Sequence, residues 1–278
     1  MRISIPQTSK PASAAAPYQD RNPAVTPTPP APIEQIGTPI WDLQEIAAQL
    51  KGFLPFYETR PIRQNEGGMK SSGLFTLWHI LKKVDPKLVV ESGVWKGQST
   101  WLIENALPEA VIFAIDPASE GIQYRTKRAE YTTNDFTTLD WSHIKDYLVD
   151  TLVFFDDHQD VFARLKLCRE MGIKTVILDD NYPEYSGNRH ISLAAILNQK
   201  SETGALRFPT EREYLLEAIS SYHKFPPVFD YREAVTMETS YITTPSVFGA
   251  YDPARHAGLE PYWQDASSYR WTSLVRFK

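Results

Sequence analysis

Acidic side chains stand at the ends of four apolar segments in the middle of the chain. They are Glu91 after LVV, Asp116 after VIFAI, Asp156 and Asp157 after LVFF, and Asp179 and Asp180 after VIL. Carboxylates brought together hold divalent cations or bind the hydroxyl groups of a ligand. In an open sheet of parallel strands, ligands bind beyond the carboxyl ends of the strands. The pattern therefore predicts a ligand site at one edge of such a sheet.

The first of these segments, VVESGVWKGQST, runs from a strand into a tight turn with two glycines. Gly93 and Gly97 would let the backbone approach a ligand closely, and a helix starting near Gln98 would offer free N–H groups to a carboxylate or phosphate. The spacing is neither the dinucleotide pattern G-x-G-x-x-G nor a P-loop. A plain strand-to-helix turn without a ligand is the alternative.

Asp116 lies about 25 residues beyond Glu91, where a nucleotide-binding βαβ unit presents an acid to ribose hydroxyls. This spacing strengthens the interpretation of the glycine turn, because both features belong to the same kind of unit. The alternative is that Asp116 only caps the PASEG turn that follows it.

The later acids predict a metal site. FFDDH and LDDN put carboxylate and amide oxygens on neighbouring strand ends, an all-oxygen set suited to Mg²⁺. Crowded carboxylates repel one another or stay protonated unless a cation compensates them. The candidate ligands in these two motifs are Asp156, Asp157, Asp179, Asp180 and Asn181. Acids that merely cap turns and helices are the alternative.

His158 directly follows the FFDD acids and is the candidate general base, with Asp156 as the second catalytic residue. A histidine beside an activated hydroxyl can take its proton near neutral pH. A structural or solvated histidine is the alternative. The other histidines have no spacing that indicates chemistry, and the chain lacks the clustered cysteines of a zinc site.

The elements that must position these residues alternate between strand and helix. Strands are predicted at LVVESG, AVIFAID, TLVFFDD and TVILDD, with helices between the first two and the last two, the second ending at Gly172. This alternation predicts a Rossmann-like, doubly wound α/β fold with a mainly parallel sheet and helices on both faces. Helices are also predicted at 43–54, 71–84 and 211–225, and closing strands at 241–249 and 268–278.

Composition sets the outer limits of the interpretation. The chain has 278 residues, 42% of them hydrophobic, and a formal charge of -5, which disfavours nucleic acid and anionic membranes as partners. The single cysteine, Cys168, indicates a reducing compartment, and we expect a cytoplasmic protein. Residues 1–37 are rich in Pro, Ala, Ser and Thr and predict a disordered tail, which leaves 38–278 as one domain.

ESGVWKGQSTWLI followed by VIFAIDP resembles motif I and the acidic second strand of class I S-adenosylmethionine-dependent methyltransferases. More narrowly, it is similar to the macrocin O-methyltransferase and cephalosporin hydroxylase-like group, whose first loop carries E-x-G-V-x-x-G. The resemblance covers roughly residues 60–185. It implies S-adenosylmethionine as cofactor, and in the metal-dependent O-methyltransferases it implies Mg²⁺ as well. In those enzymes an Asp after the fourth strand joins Asp-Asp or Asp-Asn after the fifth, and the resemblance therefore implies Asp156, Asp180 and Asn181 as metal ligands, with Asp179 as a further candidate and Asp157 pointing away.

The resemblance also implies roles for particular residues. Glu91, Gly93 and Gly97 would line the methionine part of the cofactor, and Asp116 would hold the ribose. Asp135 and Phe136 would bind adenine by hydrogen bond and stacking. The remaining cofactor contacts would come from Val94, Trp95 and Ser99 beside the glycine turn and from Met69 in the preceding loop. Both Phe136 as a core residue and the 57–73 loop as an ordinary loop are alternatives.

The favoured function is therefore transfer of a methyl group from S-adenosylmethionine to a hydroxyl of a sugar or another small polyhydroxylated molecule, free or in a glycan. A metal-dependent glycosyltransferase is the second hypothesis, because FFDDH is similar to motifs that hold a nucleotide-sugar diphosphate. A non-catalytic nucleotide-fold binding module is the third. The sequence leaves the oligomeric state open.

Overall fold

The computed structural model describes residues 31–182, 191–230, 244–266 and 269–278. Within these ranges the strands form one mixed sheet in the order β3-β2-β1-β4-β5-β7-β6. The strands are β1 (Leu88–Ser92), β2 (Val111–Ile115), β3 (Ala129–Thr132), β4 (Thr151–Phe155), β5 (Thr175–Leu178), β6 (Ile219–Lys224) and β7 (Ser273–Phe277). β1 to β5 are parallel, and β7 runs antiparallel to both of its neighbours. The order reverses between β1 and β4, where this fold places ligands.

Helices cover both faces of the sheet, which confirms the predicted doubly wound α/β fold. They are α1 (Leu43–Tyr57), α2 (Ser71–Val84), α3 (Gln98–Ala106), α4 (Val161–Met171), α5 (Leu193–Asn198), α6 (Pro209–Ala218) and α7 (Glu260–Asp265). α1 starts at Asp42, whose carboxylate accepts the Glu45 N–H at 2.7 Å. α4 ends at Gly172 in the left-handed conformation, as its sequence predicts. None of the helices in the described ranges combines the length and apolar character needed to cross a bilayer.

Two apolar layers hold the helices against the sheet. Val89 packs on one face with residues of α1, α2 and α3, while its neighbours Leu88 and Val90 pack on the other face with α4, α5 and α6. This alternation is the period of two expected of a strand buried on both sides. Cys168 is fully buried in the second layer, and burial raises the pKa of its thiol. It is a small apolar core residue.

The C-terminal third differs from its sequence-based prediction. The predicted helix 211–225 splits into α6 and the strand β6, because Ile219–Lys224 pairs with β7. Pairing across the sheet thus overrides the local helical pattern. The predicted strand at 241–249 is not formed in its described part, residues 244–249, and 241–243 lie outside the described residues. The predicted strand at 268–278 contains β7.

Residues 31–37, which we predicted to belong to the tail, lie along the edge of the sheet. Ile36 forms an antiparallel bridge with Tyr222 of β6. The Ile33 N–H donates to Asn198 Oδ1 at 2.6 Å, and Glu34 forms an ion pair with Lys224 at 2.5 Å. The contacts of the domain therefore begin before residue 38. Residues 1–30, the rest of that predicted tail, lie outside the described residues.

Candidate functional site

The acidic strand ends meet at one edge of the sheet, as the sequence predicts. In β1, Glu91 lies beside Ala114 of β2 and Phe154 of β4, and the last residue of β1 pairs with the last residues of both strands. β4 and β5 also end in register, with Phe155 beside Leu178. The segments that follow β1, β2, β4 and β5 therefore leave the sheet together.

The glycine turn between β1 and α3 is shaped by the protein's own backbone. Gly93 has φ +100°, and a Cβ there would overlap the carbonyl group of Asp156. Gly97 has φ +93°, and a Cβ there would overlap the carbonyl group of Tyr124. Both positions require glycine. The close approach that we expected of a ligand is made by neighbouring chain segments instead.

Asp116 holds this turn in place. Its Oδ2 accepts the N–H groups of Val94 at 2.9 Å and Trp95 at 2.7 Å, and its Oδ1 accepts the Ala118 N–H at 2.8 Å. The contact with Ala118 is the PASEG cap that we left open as an alternative to ribose binding. Because a carboxylate oxygen has two lone pairs, Oδ1 keeps one acceptor position for a ligand hydroxyl. Capping and ribose binding are therefore compatible.

Glu91 is fully buried behind the turn. Its Oε2 accepts the Thr100 hydroxyl at 2.6 Å, whereas its Oε1 makes no hydrogen bond of normal geometry with any described residue. Burial raises the pKa of Glu91 to about 7, and the nearby hydroxyls of Ser99 and Thr100 oppose this rise only in part. At a buried carboxylate with an unused acceptor atom, a donor or a positive charge would be stabilising.

The loop before α2 packs over the glycine turn between β1 and α3. Trp95, with φ +52° and 53% exposed, donates its indole N–H to the Glu66 carbonyl at 3.1 Å. Lys96 Nζ reaches the Gln64 carbonyl at 3.4 Å. In contrast, Met69 is only 4% exposed and packs in the core beside Gly73. The side chain of Met69 fills an apolar layer, and its predicted cofactor contact stays a prediction.

Phe136 and Asp135, the predicted adenine contacts, are engaged within the protein. Phe136 is completely buried against Trp141 and Phe155, so it is the core residue of our alternative and not a stacking surface. Asp135 accepts a bidentate pair of hydrogen bonds from Arg164, at 2.9 and 2.6 Å. This arginine keeps the pKa of Asp135 well below its usual range.

Arg164 also explains why Asp157 points away from the acidic cluster. Its Nε donates to Asp157 Oδ2 at 3.0 Å, and the Ser92 hydroxyl donates to the same oxygen at 2.6 Å. The turn after β4 is thereby tied to β1 and α4. The two acids of FFDD face different surroundings, as consecutive residues after a strand do.

His158, Asp180 and Asp156 form the centre of the site. His158 Nε2 lies 2.7 Å from Asp180 Oδ2, and one ligand atom from each of the three side chains lies within 4.8 Å of the others. The hydrogen bond to Asp180 raises the pKa of His158. Burial alone would raise the pKa of Asp180, but the bonds from His158 and Tyr182 and the charge of Arg270 bring it below its ordinary value.

Asp156 receives no such hydrogen bonds from the described residues. Among the described residues no donor bonds its carboxylate, and burial together with the charges of Asp179 and Asp180 raises its pKa well above the ordinary value.

His158 and Asp180 have φ of +53° and +50°, which are strained conformations for residues with a side chain. Strain of this kind is concentrated at functional sites. Asp156, His158 and Asp180 are therefore the best candidates for chemistry.

Two residues that we assigned to a metal point elsewhere. Asp179 is sequestered by Thr272, whose hydroxyl donates at 2.5 Å, and by the Arg270 guanidinium at 3.1 Å. Asn181 is 1% exposed and donates through Nδ2 to Tyr222 and Ser273, both at 2.8 Å. These side chains fasten the end of β5 to β6 and to the start of β7, and their assignment to a metal stays a prediction.

Sequence reasoning missed Arg270, which precedes β7 and contacts both Asp179 and Asp180. It also missed Tyr182, whose hydroxyl donates to Asp180 at 2.6 Å. A local signal existed for Tyr182, which lies two residues after the acid. None existed for Arg270, since only the antiparallel pairing of β7 with β5 brings it to the site.

No protein-family model matches the chain, and no curated protein matches it. Solved structures resemble it in fold. An apo structure of CmcI is 12% identical, with a TM-score of 0.43, over 74% of this chain and 70% of that one. The O-methyltransferase from Bacillus cereus in complex with SAH is 12% identical over 65% and 84%, with a TM-score of 0.41. TomG from Streptomyces achromogenes, in complex with SAM, is 12% identical over 65% and 82%, with a TM-score of 0.38. The chemistry must be argued from the site itself.

Proposed function

We propose that the protein is an S-adenosylmethionine-dependent O-methyltransferase. The observation that carries this proposal is the buried Glu91 carboxylate, whose Oε1 has no hydrogen-bond partner among the described residues. The α-amino group of the methionine part of the cofactor would supply the missing positive donor. The ribose would reach the free acceptor position on Asp116 Oδ1. Both residues lie at the strand ends that flank the glycine turn.

A divalent cation would be held by Asp156, His158 and Asp180. The three ligand atoms lie within 4.8 Å of one another, and the unsupported Asp156 carboxylate needs a positive charge nearby. The set contains an imidazole, so it is not the all-oxygen set that we predicted for Mg²⁺. Imidazole with carboxylates suits Mn²⁺ or Fe²⁺ at least as well. We therefore propose a divalent cation and expect Mn²⁺ to bind more tightly than Mg²⁺.

The residues of the chain would prepare the acceptor oxygen. The cofactor, when bound, supplies an electrophilic methyl group, and a bound cation supplies a Lewis acid that lowers the pKa of a hydroxyl. His158, whose side chain is 56% exposed, is within reach of an acceptor and would take the hydroxyl proton in the absence of a cation. Asp180 orients the His158 ring and stabilises its protonated form.

The acceptor class rests on the sequence resemblance. We propose a hydroxyl of a sugar or another small polyhydroxylated molecule, free or in a glycan. Methyl transfer requires the acceptor oxygen, the methyl carbon and the sulfur in line, so positioning contributes more than covalent catalysis. This agrees with a site of acids and one histidine, and with a cysteine that is buried away from it.

The glycosyltransferase hypothesis is less well supported. It needs the paired acids of FFDDH to face one metal-bound diphosphate. Asp157, however, is bonded to Ser92 and Arg164 and turned from Asp156. The buried Glu91 carboxylate also has no role in holding a diphosphate, because like charges repel.

Thermal unfolding with candidate ligands tests the proposed function. S-adenosylhomocysteine at about 100 times its Kd should stabilise the protein by about 2.7 kcal/mol. Asp116→Ala should abolish most of this shift, since it removes the acceptor for ribose and the brace of the turn. Asp140→Ala, at an exposed position outside the site, is the control. Stabilisation by a nucleotide sugar with Mn²⁺, and none by S-adenosylhomocysteine, would favour the glycosyltransferase; no shift with either would favour a binding module.

Glu91 gives a prediction about pH. Its pKa is about 7 in the folded protein against an ordinary 4.5, so between these values only the unfolded chain releases the proton. Stability should therefore fall as pH rises through this window, by roughly 3 kcal/mol in all at 1.36 kcal/mol per pKa unit. Glu91→Gln should lack this loss, which urea unfolding of both proteins from pH 4.5 to 7.5 would measure.

Parallel pH curves for the two proteins would contradict the burial of an unpaired carboxylate.

The ionisation of Glu91 should also control the affinity for S-adenosylhomocysteine. An ammonium group favours the charged form of Glu91, so the affinity for S-adenosylhomocysteine should rise with pH up to about 7 in the wild type. It should stay low and flat in Glu91→Gln.

A further inference from the structure

Arg270 occupies the place of a cation in the acidic cluster. Its Nε lies 2.9 Å from Asp180 Oδ1 and 3.2 Å from Asp179 Oδ2, and its Nη2 lies 3.1 Å from Asp179 Oδ2. The guanidinium thus bridges two consecutive carboxylates whose side chains are at most 5% exposed. An arginine in this geometry is a charge-balancing group as well as a hydrogen-bond donor.

Among the described residues, the acidic side chains of the cluster outnumber the permanent cations. Asp156, Asp179 and Asp180 carry three carboxylates, whereas Arg270 is the only permanent cation that the described residues bring into contact with them. His158 adds a second positive charge only when protonated. Removal of Arg270 would take a charged partner from two buried acids, Asp179 and Asp180, which is strongly destabilising.

Both oxygens of Asp180 are already in use. Oδ1 forms an ion pair with Arg270 and accepts the Tyr182 hydroxyl, and Oδ2 contacts His158 Nε2. A divalent cation at Asp156, His158 and Asp180 would therefore share an oxygen of Asp180 that already has a partner, and the positive charge of Arg270 beside Asp180 would oppose it. If Arg270 moved away from Asp180, its two short contacts with Asp179 would keep it near the site.

We propose that Arg270 is the resident counter-cation of the site, so that a divalent ion and the Arg270–Asp180 ion pair compete for Asp180. Arg270 then stabilises the ion-free protein and lowers its affinity for the ion. This inference rests on the metal part of the proposed function. It makes Arg270 a positioning residue that acts through Asp180, and it says nothing about the cofactor.

Titration with Mn²⁺, followed by the electron paramagnetic resonance signal of the free ion, tests the competition. Arg270→Gln should bind Mn²⁺ at least about tenfold more tightly than the wild type, since one positive charge leaves the site. In EDTA its melting temperature should be lower than that of the wild type, and Mn²⁺ should restore more of it. Arg128→Gln is the matched control, because Arg128 bonds three carbonyl groups far along the chain from these acids. It should lose stability without any change in Mn²⁺ affinity.

Arg270→Lys covers the case in which the glutamine variant does not fold. It keeps the charge but loses the planar fork, so its Mn²⁺ affinity should lie close to that of the wild type. Unchanged or weaker Mn²⁺ binding by Arg270→Gln would overturn the proposal, and so would the absence of binding by every variant. Binding of S-adenosylhomocysteine by the same samples separates these failures from a failure of the proposed cofactor.

Discussion

Asp156→Asn is expected to lower kcat at least about 100-fold, because even residues behind a metal ligand contribute about 10–100-fold to affinity or activity. The same substitution should not destabilise the fold, and should stabilise the ion-free protein. No donor among the described residues bonds the Asp156 carboxylate, and it lies next to the negative charges of Asp179 and Asp180. Removal of its charge relieves repulsion without breaking a hydrogen bond.

The neighbouring acid provides the control. Asp157→Asn should show the opposite pattern, losing about 1–3 kcal/mol of stability because its charge-assisted bonds with Arg164 and Ser92 weaken. Its Mn²⁺ affinity should change little. Urea unfolding and methyl-transfer assays of the two variants distinguish the roles. A fully active Asp156→Asn protein would contradict the assignment of Asp156 to the functional site, whatever the stability of the variant.

Gly93→Ala is expected to destabilise the protein by about 2–5 kcal/mol. A left-handed conformation costs a residue with a side chain about 1–2 kcal/mol, and overpacking adds about 1–3. Both apply here, because Gly93 has φ +100° and its added Cβ would overlap the Asp156 carbonyl. The push on Asp156 should also weaken ion binding and the binding of S-adenosylhomocysteine.

Gly172→Ala separates the cost of the left-handed conformation from the cost of overpacking. Gly172 has φ +88° at the end of α4, but a Cβ there would meet no atom within 4 Å. It should therefore show only the conformational cost of about 1–2 kcal/mol, and ligand binding should not change. Equal losses of stability in the two variants would show that the contact between Gly93 and the turn after β4 is unimportant.

The strands and the place of the site follow from the sequence. Apolar runs of four or five residues alternate with helical patterns, and this alone predicts a parallel sheet with helices on both faces. Because parallel strands end at one edge, acids that close each run must lie near one another. Gly93 and Gly97 also stood out from local spacing. Neighbouring backbone accounts for glycine at both positions, and the predicted approach of a ligand to this turn stays a prediction.

The tertiary structure decides which acid of each consecutive pair faces the candidate site. Asp156 and Asp157, and likewise Asp179 and Asp180, are identical neighbours in the sequence, yet only one of each pair faces the candidate site. Partners distant in the chain hold the other acid of each pair: the Thr272 hydroxyl donates to Asp179, and the Ser92 hydroxyl donates to Asp157. Short-range patterns specify which residues leave a strand end. The direction of each side chain depends on backbone angles and on charges that only packing brings together.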